Sequence, residues 1–167
     1  IYFFESTPNL LLVRNDSPYK TLKDFVEAAK KSPGAFTVGG SGSSSANDLG
    51  TAMLNKAAGI QLTYVPFGGT GSAVPALLGG HVSALMSYST MGIQYAGKFR
   101  ALAIASETRM DVLPDVPTFK ELGYDVVEGA YRGVAAPPGT PDDIVKVLAD
   151  AFEKVHKDLE VKKKMDQ

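Results

Sequence analysis

Phe36-Thr37-Val38-Gly39-Gly40-Ser41-Gly42-Ser43-Ser44-Ser45-Ala46-Asn47-Asp48 is the stretch that decides how the rest of the chain is read. Phe36 to Val38 are aromatic or β-branched and suit a strand. Gly39, Gly40 and Gly42 lack the Cβ atoms that keep another molecule away from the main chain. Ser41, Ser43, Ser44 and Ser45 supply hydroxyls that donate or accept hydrogen bonds. Ser45 followed by Asp48 has the spacing of a capping box, with Asp where Glu or Gln is usual. The stretch therefore predicts a strand, a Gly/Ser loop and the start of a helix. Unpaired N–H groups and partial positive charge at a helix N-terminus suit such a loop to an anionic group. The competing reading is a turn that only connects two elements.

Working outward, the composition narrows the class. The chain has 167 residues, enough for one ordinary domain or a smaller domain with an appendage. A hydrophobic fraction of 44% and a charged fraction of 21% are those of a globular protein. Net charge is -1, from 17 basic and 18 acidic residues, so no nucleic-acid partner is expected. The apolar runs fall well short of the roughly 20 residues a membrane helix needs. Cysteine is absent, which excludes disulfide scaffolds and Cys-based zinc sites. Ile1-Tyr2-Phe3-Phe4 reads like the inside of a strand, and Lys162-Lys163-Lys164-Met165-Asp166-Gln167 forms no evident final element. The expectation is a piece of a longer protein, in which case a missing export signal carries no information.

Before the opening stretch, Leu10-Leu11-Leu12-Val13 follows a Pro8-Asn9 break and predicts a buried strand. Thr21 is placed to cap a helix to about Lys31, with Leu22, Phe25, Val26 and Ala29 on one face. After it, a helix from about Ser45 to Ala58 carries Leu49, Met53, Leu54 and Ala57 at helical spacing and stops at Gly59. Leu62 to Val65 is a strand leading into Pro66-Phe67-Gly68-Gly69-Thr70-Gly71-Ser72, a second glycine-rich loop before a short helix from Ala73 to Leu78. Val82 to Tyr88 is a strand that runs through Ser87-Tyr88-Ser89-Thr90 into another short helix. Phe99 to Ala105 is strongly apolar and is expected at the centre of a sheet. Three successive strand–loop–helix units argue for a parallel-rich sheet with covering helices. Ligands of such sheets bind at the carboxyl ends of the strands, where all three Ser/Gly loops fall. Beyond Ser106, Val126 to Ala136 reads as a strand. Thr140 is placed to cap, and Pro141 to open, a long helix with Ile144, Val147, Leu148, Ala151, Phe152 and Val155 facing inward.

Catalytic patterns are weak. Gly40 to Ser45 and Gly69 to Val74 approach G-x-G-x-x-G but lack the third glycine, and no acid ends the strand after the first loop. Neither loop has the Gly-Lys-Ser/Thr ending of a phosphate-binding loop. His81 and His156 are the available histidines, and both are expected in surface or turn positions. No G-x-S-x-G elbow occurs, and no His, Asp and Glu have metal-ligand spacing. Arg100, inside a strand, is expected in a structural ion pair, while Arg132 could serve structure or ligand. A small α/β enzyme acting on a phosphorylated or nucleotide substrate is the alternative function. The main reading is a cleft edge of hydroxyls, backbone amides, Phe67 and Tyr88 that holds a small carboxylate without chemistry.

Several blocks together resemble the Bug/TctC family, the solute-binding proteins of tripartite tricarboxylate transporters. They include Asp16-Ser17-Pro18-Tyr19-Lys20-Thr21-Leu22, Val65-Pro66-Phe67-Gly68-Gly69-Thr70-Gly71-Ser72-Ala73, Leu77-Leu78-Gly79-Gly80-His81-Val82, Leu113-Pro114-Asp115-Val116-Pro117-Thr118 and Ala136-Pro137-Pro138-Gly139-Thr140-Pro141. They come in the family's order and cover nearly the whole chain. The resemblance implies an α/β, type II periplasmic-binding-protein fold with two lobes and a small carboxylate between them. It assigns residues 14–103 to the second lobe, and 1–13 and 104–167 to crossover strands and a return segment of the first. Carried over by position, Ser41, Gly42, Ser43, Ser44 and Ser45, Phe67, Gly68, Gly69 and Thr70, and Ser87, Tyr88 and Ser89 line the second lobe's side of the pocket. Tyr131 approaches from the first lobe. The implied partners are a di- or tricarboxylate or related organic acid and a membrane permease; no cofactor, metal or catalysis is implied. The implied location is the periplasm or the cell surface. The family's N-terminal part is missing from the pattern, so the later segment is expected to expose apolar area or to self-associate. Where family strands often end in an acid, Ser87 stands here.

Overall fold

The computed structural model describes residues 1–161, so the terminal charged run lies outside the described residues. Contacts group these residues into two compact units: Thr7–Ala130, and a smaller one of Ile1–Ser6 with the chain from Tyr131 on. In chain order the elements are β1 (Tyr2–Arg14), α1 (Leu22–Lys31), β2 (Phe36–Ser41), α2 (Ala46–Ala58), β3 (Leu62–Phe67) and α3 (Thr70–Leu78). There follow β4 (Ala84–Tyr88), α4 (Ser89–Gln94), β5 (Phe99–Ile104), β6 (Gly129–Val134) and α5 (Asp142–Lys157).

The sheet runs β3-β2-β4-β1-β5, with β6 also paired to β1. β2 is parallel to β3 and to β4, as the repeated strand–loop–helix pattern predicts. β1 enters antiparallel to both β4 and β5, which makes the sheet mixed. β1 is also one continuous strand through Pro8-Asn9, where the sequence reads a break. Pro8 lacks an N–H, and the adjacent Asn9 N–H meets the Glu128 carbonyl at 2.8 Å, so the ladder survives the proline. β5 is not the central strand. It ends the order beside β1, and its outer side is covered by the 117–119 segment, through Ile104 N–H to Pro117 O and Phe119 N–H to Ile104 O, both at 3.0 Å. That cover explains an apolar strand at this place.

Leu10 to Val13 feed two cores alternately, as period-2 strand geometry requires. Leu11 and Val13 pack with Leu22, Phe25, Val26 and Ala29 of α1, Leu54 of α2, and Phe119 and Val126 from the later segment. Leu10 and Leu12 pack on the opposite face with Ala73, Val74 and Leu77 of α3, Leu85, Phe99 and Ile104. With both faces covered, each fully buried leucine contributes roughly 1.5–3 kcal/mol. α1 starts as the sequence predicts, in a reciprocal box. The Asp24 N–H donates to Thr21 Oγ1 at 3.2 Å, and the Thr21 N–H donates to Asp24 Oδ2 at 2.9 Å. α2 is rotated from its expected face. Leu49 is half exposed, and the buried side carries Asn47, Gly50, Thr51, Leu54 and Ala58. Gly59 closes α2 in the left-handed region at φ 63°.

In the smaller unit, the Ile1 nitrogen donates to Val134 O at 2.8 Å, and Arg132 pairs with Glu5 at 3.2 Å, giving that arginine a structural role. The ring of Phe152 lies 6.4 Å from Tyr2 and 5.5 Å from Phe4 between centroids. The start of α5 differs from expectation. Pro141 is the N-cap, and the Thr140 hydroxyl donates instead to Pro137 O at 2.8 Å. Its expected inward face also differs. Val145, Ala149, Phe152 and His156 are half-buried along one stripe, while Ile144, Val147, Leu148 and Val155 are exposed. His156 is thus no free surface residue: its ring lies 5.9 Å from Tyr2, and its Nδ1 is buried without a hydrogen bond.

Candidate functional site at the carboxyl edge of the sheet

Three parallel neighbours end together. Ser41 on β2 stands opposite Phe67 on β3, and Gly39 stands opposite Leu85 on β4, so two residues further on Ser41 is level with Ser87. The loops that leave these strands therefore share one edge, which gathers residues 41–45, 67–70 and 87–89. Tyr131 belongs to the smaller unit, where its ring lies 6.0 Å from Phe3.

The first loop is held more tightly than a Gly/Ser linker would be. β2 runs through Gly39 and Gly40, which the sequence assigns to the loop. Their missing Cβ atoms make room for internal neighbours rather than for a ligand. A Cβ on Gly39 would meet Leu85 at 2.9 Å and Phe67 at 3.0 Å, and one on Gly40 would meet Asn47 and the Met86 carbonyl at 2.9 Å. At Gly42 the same position is open space. Ser41 is pinned at every polar atom. Its N–H and hydroxyl both donate to Asn47 Oδ1, at 3.1 and 2.6 Å. Its carbonyl accepts from Ser45 Oγ at 2.6 Å and from the Tyr64 hydroxyl. Burial pushes the Tyr64 phenol above its ordinary range, which keeps it a proton donor. The Gly42 N–H is taken by Phe67 O at 2.8 Å.

Ser45 caps α2 as expected, its Oγ accepting from the Asp48 N–H at 3.3 Å. The return half of the expected box is displaced by one residue: Asp48 Oδ2 accepts from the Ser44 N–H at 2.9 Å, not from Ser45. That bond holds Ser44 at a positive φ of 59°, an uncommon conformation for a residue with a Cβ. The outcome is an exposed tip. The hydroxyls of Ser43 and Ser44 are open to solvent and make no hydrogen bond among the described residues. Behind them lie the first-turn N–H groups of α2.

In the second loop, Ser72 Oγ donates to Gly69 O at 2.7 Å and accepts from Gly69 N–H at 3.1 Å, so α3 begins at Thr70, three residues earlier than expected. Gly68 is exposed and Thr70 half-buried, while Phe67 packs its ring on the α3 side of the sheet. In the third, Ser87 is fully buried and its Oγ has no hydrogen-bond partner; Ser89 is buried and Tyr88 half-buried. Against the ion pair expected of it, Arg100 makes none among the described residues and instead donates to Asn15 O at 3.1 Å.

Sequence reasoning missed the polar layer below the loop. Asn47 Nδ2 donates to Asn9 Oδ1 at 2.9 Å, Asn9 Nδ2 donates to Ala46 O at 2.7 Å, and both asparagines are fully buried. A buried amide needs partners, so an asparagine set among apolar positions of a helix and a strand was the available signal. The larger hollows lie elsewhere. One of about 410 Å³ is bordered by Arg14, Asp16, Tyr19, Phe36 and Ser83, at the amino ends of β2 and β4. Arg14 there is already paired with Asp16, so it offers no unspent charge. The hollow beside the Gly/Ser loop, lined by Ser44, Asp48, Leu49 and Ala52, is about 310 Å³. The edge is an open wall, not an enclosed cavity. Among the described residues no three His, Cys, Asp or Glu gather as a metal site, and no helix is long and apolar enough to cross a membrane.

Comparison with known proteins gives this wall a setting. The family described as tripartite tricarboxylate transporter family receptor matches residues 1–166. A UPF0065 protein encoded in the gbd 5' region of Cupriavidus necator is 38% identical over 145 residues, covering 86% of this chain and 44% of the relative. A TctC solute-binding protein from Polaromonas superposes with a TM-score of 0.85 at 34% identity, over 98% of this chain and 57% of the other. MatC from Rhodopseudomonas palustris, solved with bound malate, gives 0.79 at 32% identity, over 95% and 57%. The chain thus spans about half the length of the proteins it matches. The fold is a partial type II periplasmic-binding-protein fold. These proteins are solute-binding receptors of transporters, not enzymes, which sets aside the enzymatic alternative.

Proposed function

The chain belongs to the tripartite tricarboxylate transporter family of receptors, and from that premise we propose that it supplies one wall of a site for a small organic acid. The ligand is a di- or tricarboxylate or a related acid, captured outside the cytoplasm and passed to the permease subunits of the transporter. One observation carries the reading: three adjacent parallel strands end at a single edge, where the hydroxyls of Ser43, Ser44 and Thr70 make no hydrogen bond among the described residues, in loops with no lysine or arginine. Neutral hydroxyl donors can hold a carboxylate through charge-assisted hydrogen bonds. The malate bound to MatC supports the ligand class.

In this reading the ligand lies against residues 41–45, 67–70 and 87–89, with Ser43, Ser44 and Thr70 offering hydroxyls and Phe67 and Tyr88 apolar walls. Tyr131 belongs to the segment assigned to the first lobe. Residues 14–103 form the second lobe, and 1–13 and 104–167 carry the chain to and from the first. The test is thermal unfolding of the chain with malate, succinate and citrate. At a ligand concentration about 100 times Kd, linkage adds about 2.7 kcal/mol and raises Tm. No rise across these acids overturns the proposal.

A further inference from the structure

We infer that Tyr64 and Asn47 are positioning residues of the binding loop, which set the tip for the ligand while Ser41 is spent inside the protein. The inference rests on the carboxylate reading for its effect on affinity, and on the free chain for its effect on the loop. Ser41 looks like a ligand residue from sequence, but its hydrogen bonds are committed. Asn47 Oδ1 takes both its N–H and its hydroxyl, at 3.1 and 2.6 Å, and its carbonyl takes the Tyr64 and Ser45 hydroxyls. Rebuilding those bonds toward a ligand would orphan the buried Asn47 oxygen, which is costly.

Asn47 itself is not free to turn. Its Nδ2 must donate to Asn9 Oδ1, whose own Nδ2 must donate to Ala46 O. The two amides therefore have one satisfied orientation, and that orientation presents an acceptor, never a donor, to Ser41. From the other side Tyr64 reaches across from β3; its hydroxyl lies against Ser41 O, 3.4 Å from Gly42 O and 3.3 Å from Ser45 Oγ. One residue of loop is thus gripped from α2 and from β3, and the next residues, Gly42 to Ser44, project from that grip. A loop held before the ligand arrives loses less conformational freedom on binding.

The experiment compares wild type, Tyr64→Phe, Asn47→Ala and Thr63→Val. Thr63, the residue before Tyr64 on β3, makes a comparable hydroxyl-to-carbonyl bond away from the loop, to Gly34 O at 3.1 Å. Backbone NMR relaxation of the Ser43 and Ser44 amides is measured without ligand, and malate affinity by calorimetry. Tyr64→Phe is expected to raise the mobility of both amides and to weaken malate binding about three- to tenfold, with Thr63→Val doing neither. Asn47→Ala should do the same more strongly. Unchanged loop relaxation in Tyr64→Phe overturns the inference whether or not malate binds. A looser loop with unchanged affinity also overturns it, because the grip would then be structural alone. If wild type binds none of malate, succinate and citrate while Tyr64→Phe still loosens the loop, the carboxylate reading fails and the grip on the loop stands.

Discussion

α1 and α5 are both amphipathic helices with clean apolar stripes, and they end up in opposite situations. In α1, Leu22, Phe25, Val26 and Ala29 are all buried under the sheet of the larger unit. In α5, no residue is buried, and Val147 is 68% exposed. The stripe of α5 at Ile144, Val147, Leu148 and Val155 is as apolar as that of α1, yet its half-buried contacts run along Val145, Ala149, Phe152 and His156. Hydrophobic spacing reports that a face avoids water in the complete protein. It does not report what covers that face. A chain spanning about half of its relatives' length can therefore display correct amphipathicity with no cover.

Substitutions in the two helices should separate them widely. Phe25→Ala removes a fully buried ring and should destabilise the larger unit by about 3–5 kcal/mol in denaturant unfolding. A loss below about 1 kcal/mol would mean that this core is not packed as described. Asn9→Ala comes next. It leaves Asn47 Nδ2 and Ala46 O without partners and should cost about 1–3 kcal/mol, read by the same titration. Thr21→Ala removes the cap of α1 and should cost about 1 kcal/mol. Val147→Ser, on the bare stripe of α5, should change stability by no more than about 0.5 kcal/mol, and a large loss there would show that the stripe is covered.

The α1 cap also has a pH signature. Hydrogen bonds from the Thr21 hydroxyl and N–H hold the Asp24 carboxyl below its ordinary value of 3.8. A depressed carboxyl stabilises the fold at pH above that ordinary value, and the stabilisation is lost as pH falls through the lowered one. The stability gap between wild type and Asp24→Asn should therefore be present at neutral pH and close on acidification. A gap that widens in acid would reverse the sign.

Much of the edge was legible because its signals are local. Strand, Gly/Ser loop and capped helix recur in order, and parallel neighbours then bring the loop ends together without further information. What escaped depends on partners distant in sequence. Gly39 and Gly40 look like loop residues until Leu85, Phe67 and Asn47 are seen filling the space beside them. β5 reads as central because it is apolar, yet it is covered by the 117–119 segment and not by a further strand of the main order. Asn9 looks like part of a Pro-Asn break, and only its register opposite Tyr88 brings it beneath the loop. Ser41 drew attention for its hydroxyl, which the buried amide layer turns out to use.

The proposal sets one end of the sheet against the other: it assigns binding to the hydroxyl-lined carboxyl edge, not to the hollow at the amino ends. The decisive measurement follows the backbone amides of the chain by NMR during titration with malate, succinate and citrate in turn. Saturable shifts concentrated at Ser43, Ser44 and Thr70 are expected with at least one of these acids. Shifts confined to Arg14, Asp16, Tyr19 and Ser83, or none at any residue, would contradict it.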